Sequence, residues 1–330
     1  MTDPEICAAV RQHYGLAVRA VERIDRGSAA LFKLYGSEAA FILKVFQPKF
    51  RADSILREVH VTDFLRQNGI SVPEYIPCRN GDFYFMQNGR IAILQAFIPG
   101  QTREKGCCSK RELLDSARLL AQIVNALEHY PYDDLLPCEI SRYGSAARLL
   151  QAKAAYADLM AAAHADAVHG AEICRDLQDR LVMIARVSDA GAFVNTNALT
   201  LKRSHGDYSV MQLLYDGSEI KAVLDFVNAG EVPIAWELIR SYSYMDCTFN
   251  AARLAAYTNE YRRYAEVSMD DLRYMPYLYL GQLLGSTYGY KQYLQTGDEE
   301  LLAFGQWRTE ICRYLMANAG EISAELVRLA

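Results

Sequence analysis

The sequence predicts an α+β protein of two lobes, a small antiparallel sheet over residues 1–97 and a larger, mainly helical lobe over residues 98–330. Two observations carry this. Short apolar runs separated by turn residues fill the first hundred positions, the pattern of strands. From Ser109 onwards the apolar residues recur at helical spacing, as in Leu113, Leu114, Ala117, Leu120, Ile123, Val124 and Leu127.

In chain order, Asp3 and Pro4 suit the start of a short helix over residues 4–14. Strands follow at Val18–Ile24, Ala30–Tyr35 and Ala39–Phe46, joined by the turns Asp25-Arg26-Gly27-Ser28 and Gly36-Ser37-Glu38. The third strand is apolar except for Lys44. A lysine in such a run either reaches out from a sheet edge or is paired inside. The next segment, Ala52–Gln67, is helical and carries Glu58 as a candidate partner. Further strands are expected around Phe83–Met86 and Ile91–Phe97. The segment Gln95-Ala96-Phe97-Ile98 then leads through Pro99-Gly100 into the helical part. Helices are expected over 111–128, 143–163, 171–187, 234–244, 251–265, 270–295 and 299–318, with a loop over 189–197 and a short strand over 199–203. The nine tyrosines between Tyr257 and Tyr293 suit helix packing with hydroxyls reaching solvent or backbone, or an aromatic cage for a quaternary amine.

Composition narrows the classes. A net charge of −5 argues against a nucleic-acid binder. No apolar run is long enough to span a bilayer, so no membrane partner is expected. The beginning Met-Thr-Asp-Pro-Glu is unlike a signal peptide, which leads to an expected cytoplasmic location. Eight cysteines lie scattered without a C-x-x-C pair, and we expect free, mostly buried thiols.

The chemistry concentrates in Ser204–Arg240. His205-Gly206-Asp207 comes first, Gln212 stands five residues after the aspartate, and Leu224-Asp225-Phe226 closes an apolar run. A hairpin over Gln212–Tyr215 and Ile220–Phe226, turning at Asp216-Gly217, would bring Asp225 back beside Gln212. A carboxylate, a second oxygen ligand and a further carboxylate in that order form the protein-kinase arrangement. There a base orients the acceptor hydroxyl and two oxygen ligands hold magnesium.

With Ala229-Gly230 and Pro233, these motifs resemble the aminoglycoside phosphotransferase and choline kinase-like family over roughly Ser204–Leu238. The chain departs from the family pattern in having Gln212 for the usual asparagine, Ser209-Val210 for a frequent His-Pro pair, and Glu237 for the usual aspartate. The resemblance implies a protein-kinase-like fold, with ATP and Mg²⁺ used to phosphorylate a small hydroxyl compound. It implies Asp207 as the catalytic base, with Gln212 and Asp225 as metal ligands. For the nucleotide it implies Lys44 paired with Glu58, the Gly27-Ser28 turn over the phosphates, and Gln95 and Phe97 at the hinge. An aminoglycoside, a choline-like amine, homoserine and a sugar stand open as acceptors. Glu231, Glu237 and Asp246 could receive a cationic one, or could cap helices and pair with Arg203 or Arg240. The alternative is a nucleotide-binding pseudokinase or scaffold of the spore-coat kinase-like type, prompted by Gln212.

Overall fold

The computed structural model describes residues 2–24, 29–189, 194–246 and 249–329. Its internal contacts divide the chain into two compact units. One comprises Met1–Leu136, Arg203–Glu231 and Tyr244–Cys247; the other comprises Pro137–Lys202, Val232–Ser243 and Thr248–Ala330. The expected lobe boundary after Phe97 falls inside the first unit. Helix α2 (Ala52–Gln67) packs there on the turn Phe226–Asn228, and α3 (Lys110–Leu127) packs on β9 (Glu219–Val223), which binds those later segments to the sheet.

The first unit begins with α1 (Asp3–Tyr14). Its cap is Thr2, one residue earlier than expected, because the Thr2 N–H donates to the Glu5 carboxylate at 2.8 Å. Strands β1 (Ala20–Ile24), β2 (Ala30–Tyr35), β3 (Ala40–Val45), β4 (Tyr75–Ile76), β5 (Tyr84–Gln87) and β6 (Arg90–Ala96) form one sheet. Its order is β1-β2-β3-β6-β4, with β5 also on β6, and every pair is antiparallel.

Side chains alternate across this sheet. Phe32, Leu34, Leu43, Val45 and Leu94 pack with Ile6 and Val10 of α1. Phe46 and Ile93 join Ile55 and Val59 of α2 in a second cluster that includes Tyr75 and Val227. Apolar cover on both faces explains why β3 reads as a continuous apolar run. Lys44 stands in register with Leu31 and Ile93. The hairpin of β8 (Leu213–Asp216) and β9 is shorter than expected, since Asp225 takes a left-handed backbone and ends the extended run. β7 (Leu201–Ser204) and β10 (Gly230–Pro233) flank this region in the chain.

The second unit is helical, with α4 (Ala146–Ala163), α5 (Gly170–Asp189), α6 (Ile234–Met245, whose last residues belong to the first unit), α7 (Ala251–Arg262), α8 (Met269–Leu284), α9 (Tyr290–Thr296) and α10 (Glu299–Arg328). Three expected boundaries change. The helix expected from Tyr143 starts at Ala146: Gly144 has φ of 90°, and a Cβ there would lie 2.7 Å from the Gly281 Cα. The helix expected over 270–295 is two, interrupted between Gly285 and Gly289, where Gly289 has φ of 103°. The last helix runs ten residues past Asn318 to Arg328, burying Ala319, Ile322 and Leu326.

The tyrosine expectation also changes. The buried Tyr257, Tyr279 and Tyr290 bond to the side chains of Ser241, Ser243 and Asp176. These three rings are enclosed in packing and line no open cage. Arg180, fully buried, gathers Tyr156, Thr309 and the carbonyls of Leu283, Ser286 and Gly305 around it. Of the seven described cysteines, only Cys78, Cys108 and Cys312 are buried, fewer than expected; Cys247 lies outside the described residues. No helix among the described residues is long and apolar enough to cross a membrane.

Candidate active site

The site is built within the first unit, from β3, α2 and the loop that follows β7. Lys44 Nζ lies 3.0 and 3.4 Å from the two oxygens of Glu58 and 2.7 Å from Asp225 Oδ1. Glu58 is completely buried, and the Lys44 side chain is 12% exposed. Burial pulls the Lys44 ammonium down, but Glu58 and Asp225 more than reverse this, leaving its pKa above the ordinary lysine value. For Glu58, burial is the largest influence and pushes its pKa up, against the opposing pull of Lys44 and of a hydrogen bond from Tyr75. One ammonium shared by two carboxylates keeps this group together in a poorly solvated place.

Asp225 has φ of 66° and ψ of 61°, a conformation that aspartate tolerates better than most residues. It stands at the start of the turn Phe226–Asn228. That turn is held to α2, where Arg57 Nη2 donates to the Val227 carbonyl at 3.0 Å. Arg57 and Glu58, consecutive on one helix, therefore fix the residues on either side of the Lys44–Asp225 contact.

The loop carrying Asp207 is set by His205 and Gly206. His205 is fully buried and its Nε2 lies 2.8 Å from the Leu224 carbonyl, while its Nδ1 lies 3.2 Å from the Asp207 N–H. A carbonyl only accepts and an N–H only donates, so both contacts are met by the tautomer protonated on Nε2. The ring also packs on Phe226 with centroids 4.5 Å apart. Gly206 has φ of 75°, and a side chain there would run into the Asn228 carbonyl. Tyr208 donates to the Ser116 carbonyl at 3.0 Å and pins the loop to α3. Ser209-Val210 opens a single 3₁₀ turn, Val210–Gln212, closed by the Gln212 N–H on the Ser209 carbonyl.

Gln212 and Asp225 are brought together through the backbone: the Leu224 N–H donates to the Gln212 carbonyl at 2.8 Å. Gln212 Nε2 lies 3.5 Å from Asp207 Oδ2, a long contact that aims its amide nitrogen at Asp207 and leaves the amide oxygen for another partner. At the expected hinge, Gln95 is in register with Ile42 and Tyr75, and the Phe97 N–H already donates to the Ala40 carbonyl. The Phe97 ring carries Lys33 Nζ at 4.0 Å from its centroid. Gly27 and Ser28 lie outside the described residues. Of the acidic candidates near the motif, Glu237 and Asp246 are buried and Glu231 is exposed; Arg203 donates to the Tyr130 carbonyl.

Sequence reasoning missed Tyr75, whose hydroxyl donates to Glu58 at 2.7 Å, and Arg57. Arg57 had a usable signal, as a cation inside the buried stripe of α2. Tyr75 had none, because it lies on a two-residue strand.

An antiparallel sheet whose central strand presents an ion-paired lysine to an aspartate after a hairpin defines a kinase-like phosphotransferase. The chain belongs to the phosphotransferase enzyme family, whose family model matches residues 20–267. It is an enzyme of the small-molecule kinase type. Solved structures agree with it in fold. A spectinomycin phosphotransferase in complex with ADP and spectinomycin has a TM-score of 0.68 at 12% identity, covering 100% of this chain and 99% of that one. Amicoumacin kinase, in complex with AMP-PNP, Ca²⁺ and Ami, has a TM-score of 0.66 at 12% identity, covering 95% and 94%. A microcompartment-associated aminopropanol kinase has a TM-score of 0.63 at 15% identity, covering 99% and 100%. No curated protein matches the chain.

Proposed function

We propose that this enzyme transfers the γ-phosphate of ATP to a hydroxyl of a small molecule in the cytoplasm. The observation that carries the proposal is the Lys44–Glu58–Asp225 group, whose Asp225 follows the Leu224 carbonyl that His205 of the Asp207 loop holds. Lys44 would hold the α- and β-phosphates, anchored from behind by Glu58. Asp207 would accept a hydrogen bond from the acceptor hydroxyl and aim its oxygen at the γ-phosphorus. It would then take the proton as the new P–O bond forms and the bond to the leaving ADP breaks. Most of the acceleration in such a transfer comes from positioning and from charge neutralisation.

The donor set suits magnesium, which favours hard oxygen ligands and is commonly held by one or two carboxylates together with the substrate phosphates. Asp225 supplies a carboxylate and Gln212 an amide oxygen, reached through the hairpin that joins them. When bound, the ion would neutralise charge on the β- and γ-phosphates. Asp225 would have to yield Lys44 to the phosphates as it turns to the ion. The nucleotide base would lie by Gln95 and Phe97, with the Gly27-Ser28 turn over the phosphates. Since the Phe97 N–H is already bonded, base contacts there would use other backbone groups. Aminoglycosides, choline-like amines, homoserine and sugars all remain acceptor classes to try. Retention of Lys44, Asp207 and Asp225 supports turnover over a scaffold role.

The test is a screen of purified protein with ATP and Mg²⁺ against amino sugars, amino alcohols, hydroxy amino acids and sugars, read by mass spectrometry of the products. Phosphorylation of one class is the expected result. Failure to bind ATP, with no phosphorylated product from any class, would refute the proposal.

A further inference from the structure

Glu58 has a second partner besides Lys44. Its Oε1 accepts from Lys44 at 3.0 Å and from the Tyr75 hydroxyl at 2.7 Å, and its Oε2 lies 3.4 Å from Lys44. The two donors come from different strands, β3 and β4. The Tyr75 ring sits in the apolar cluster of Phe46, Ile55, Val59 and Ile93, and only 8% of the residue is exposed.

We propose that Tyr75 is a positioning residue for phosphoryl transfer: its hydroxyl fixes the Glu58 carboxylate so that Lys44 is held where the nucleotide phosphates bind. This rests on the phosphotransferase reading given above. The reasoning starts from what Lys44 has to give. Its ammonium carries three donors, now divided between Glu58 and Asp225. Phosphates would draw those donors forward, and a carboxylate held by Lys44 alone would turn and follow them. A donor fixed on another strand prevents this. The donor must also be neutral, because a second cation would satisfy Glu58 and release Lys44. A tyrosine hydroxyl in an apolar cluster meets both conditions, since leaving it unpaired there is costly.

The variants are Tyr75→Phe, Glu58→Gln and the double substitution in the full-length protein, with ATP, ADP and adenosine as probes in titration calorimetry. A hydrogen bond to a charged group is worth about tenfold or more in an equilibrium constant. Tyr75→Phe should therefore weaken ATP and ADP about tenfold and leave adenosine within about twofold. In the Glu58→Gln background it should cost little further. Tyr75→Leu, which also lacks the donor but packs differently, should give the same phosphate-specific loss, and melting curves identify the variants folded at the assay temperature. Unchanged ATP affinity in folded Tyr75→Phe would overturn the proposal. So would an equal loss for adenosine, or an equal loss in both backgrounds. A wild-type protein that binds no ATP would overturn the phosphotransferase reading and this proposal together. One that binds ATP, with an unmoved Phe variant, would overturn this proposal alone.

Discussion

Lys44 Nζ lies closer to Asp225 Oδ1, at 2.7 Å, than to either oxygen of Glu58. The contact joins residues 181 positions apart and ties β3 to the turn after β9. The lysine is shared by two carboxylates, one buried on α2 and the other partly exposed at the turn after β9.

Removing the lysine should therefore act on stability as well as on binding. Lys44→Met leaves the buried Glu58 carboxylate with Tyr75 as its remaining bonded donor. Breaking one side of a buried ion pair costs about 3–5 kcal/mol. We expect urea unfolding of Lys44→Met to show a loss of that order, and ATP affinity to fall. Adding Glu58→Gln should recover part of the stability and none of the affinity. A Lys44→Met protein as stable as wild type and equally avid for ATP would remove the pair from the account.

Gly206→Ala tests the loop that carries Asp207. The position needs φ of 75°, and the methyl group would meet the Asn228 carbonyl, which is backbone and cannot rotate away. Left-handed backbone alone costs a non-glycine residue about 1–2 kcal/mol. We expect a clear drop in melting temperature and loss of turnover. An unchanged melting curve would show that the loop accommodates a side chain.

Gln212 tests the metal assignment. Its amide oxygen, with the nitrogen turned towards Asp207, is free to point to the same ion as Asp225. Gln212→Asn shortens the reach by one methylene. For an ion that needs near-ideal octahedral geometry, this should move the Mg²⁺ titration of the reaction far more than the acceptor preference. If Gln212→Asn and Gln212→Ala both leave that titration where it is, Gln212 is a loop residue and Asp225 stands alone. Chelation of Mg²⁺ should stop transfer in every variant.

Much of the first unit was legible from residue types. The lone lysine in an apolar strand left a sheet edge and an internal pair both open, and only the motif at Ser204–Leu238 turned the choice to Glu58 on the next helix, while α2 runs Ala52–Gln67 as its pattern predicts. The Asp207 loop was legible because a turn glycine, a short hairpin and a second aspartate follow in one run. Tyr75 was not, since a single hydroxyl reaching across 17 positions leaves no periodicity. The helical unit was harder for another reason. Its apolar pattern continues through Gly285–Gly289, where the chain breaks, and through Gly320, where it does not. Tertiary packing decides between those glycines. Pro276 lies inside α8 in the same way, tolerated where local rules place a helix end.

The most direct measurement compares wild type with Asp207→Asn, using ATP labelled at the γ-phosphate and the best acceptor from the screen. Asparagine keeps the size of the side chain but cannot take the acceptor's proton. ATP affinity should stay within about twofold while transfer falls by about a hundredfold or more, the usual scale for a lost acid–base group. Transfer at the wild-type rate in Asp207→Asn would contradict the assignment of Asp207 and the mechanism built on it.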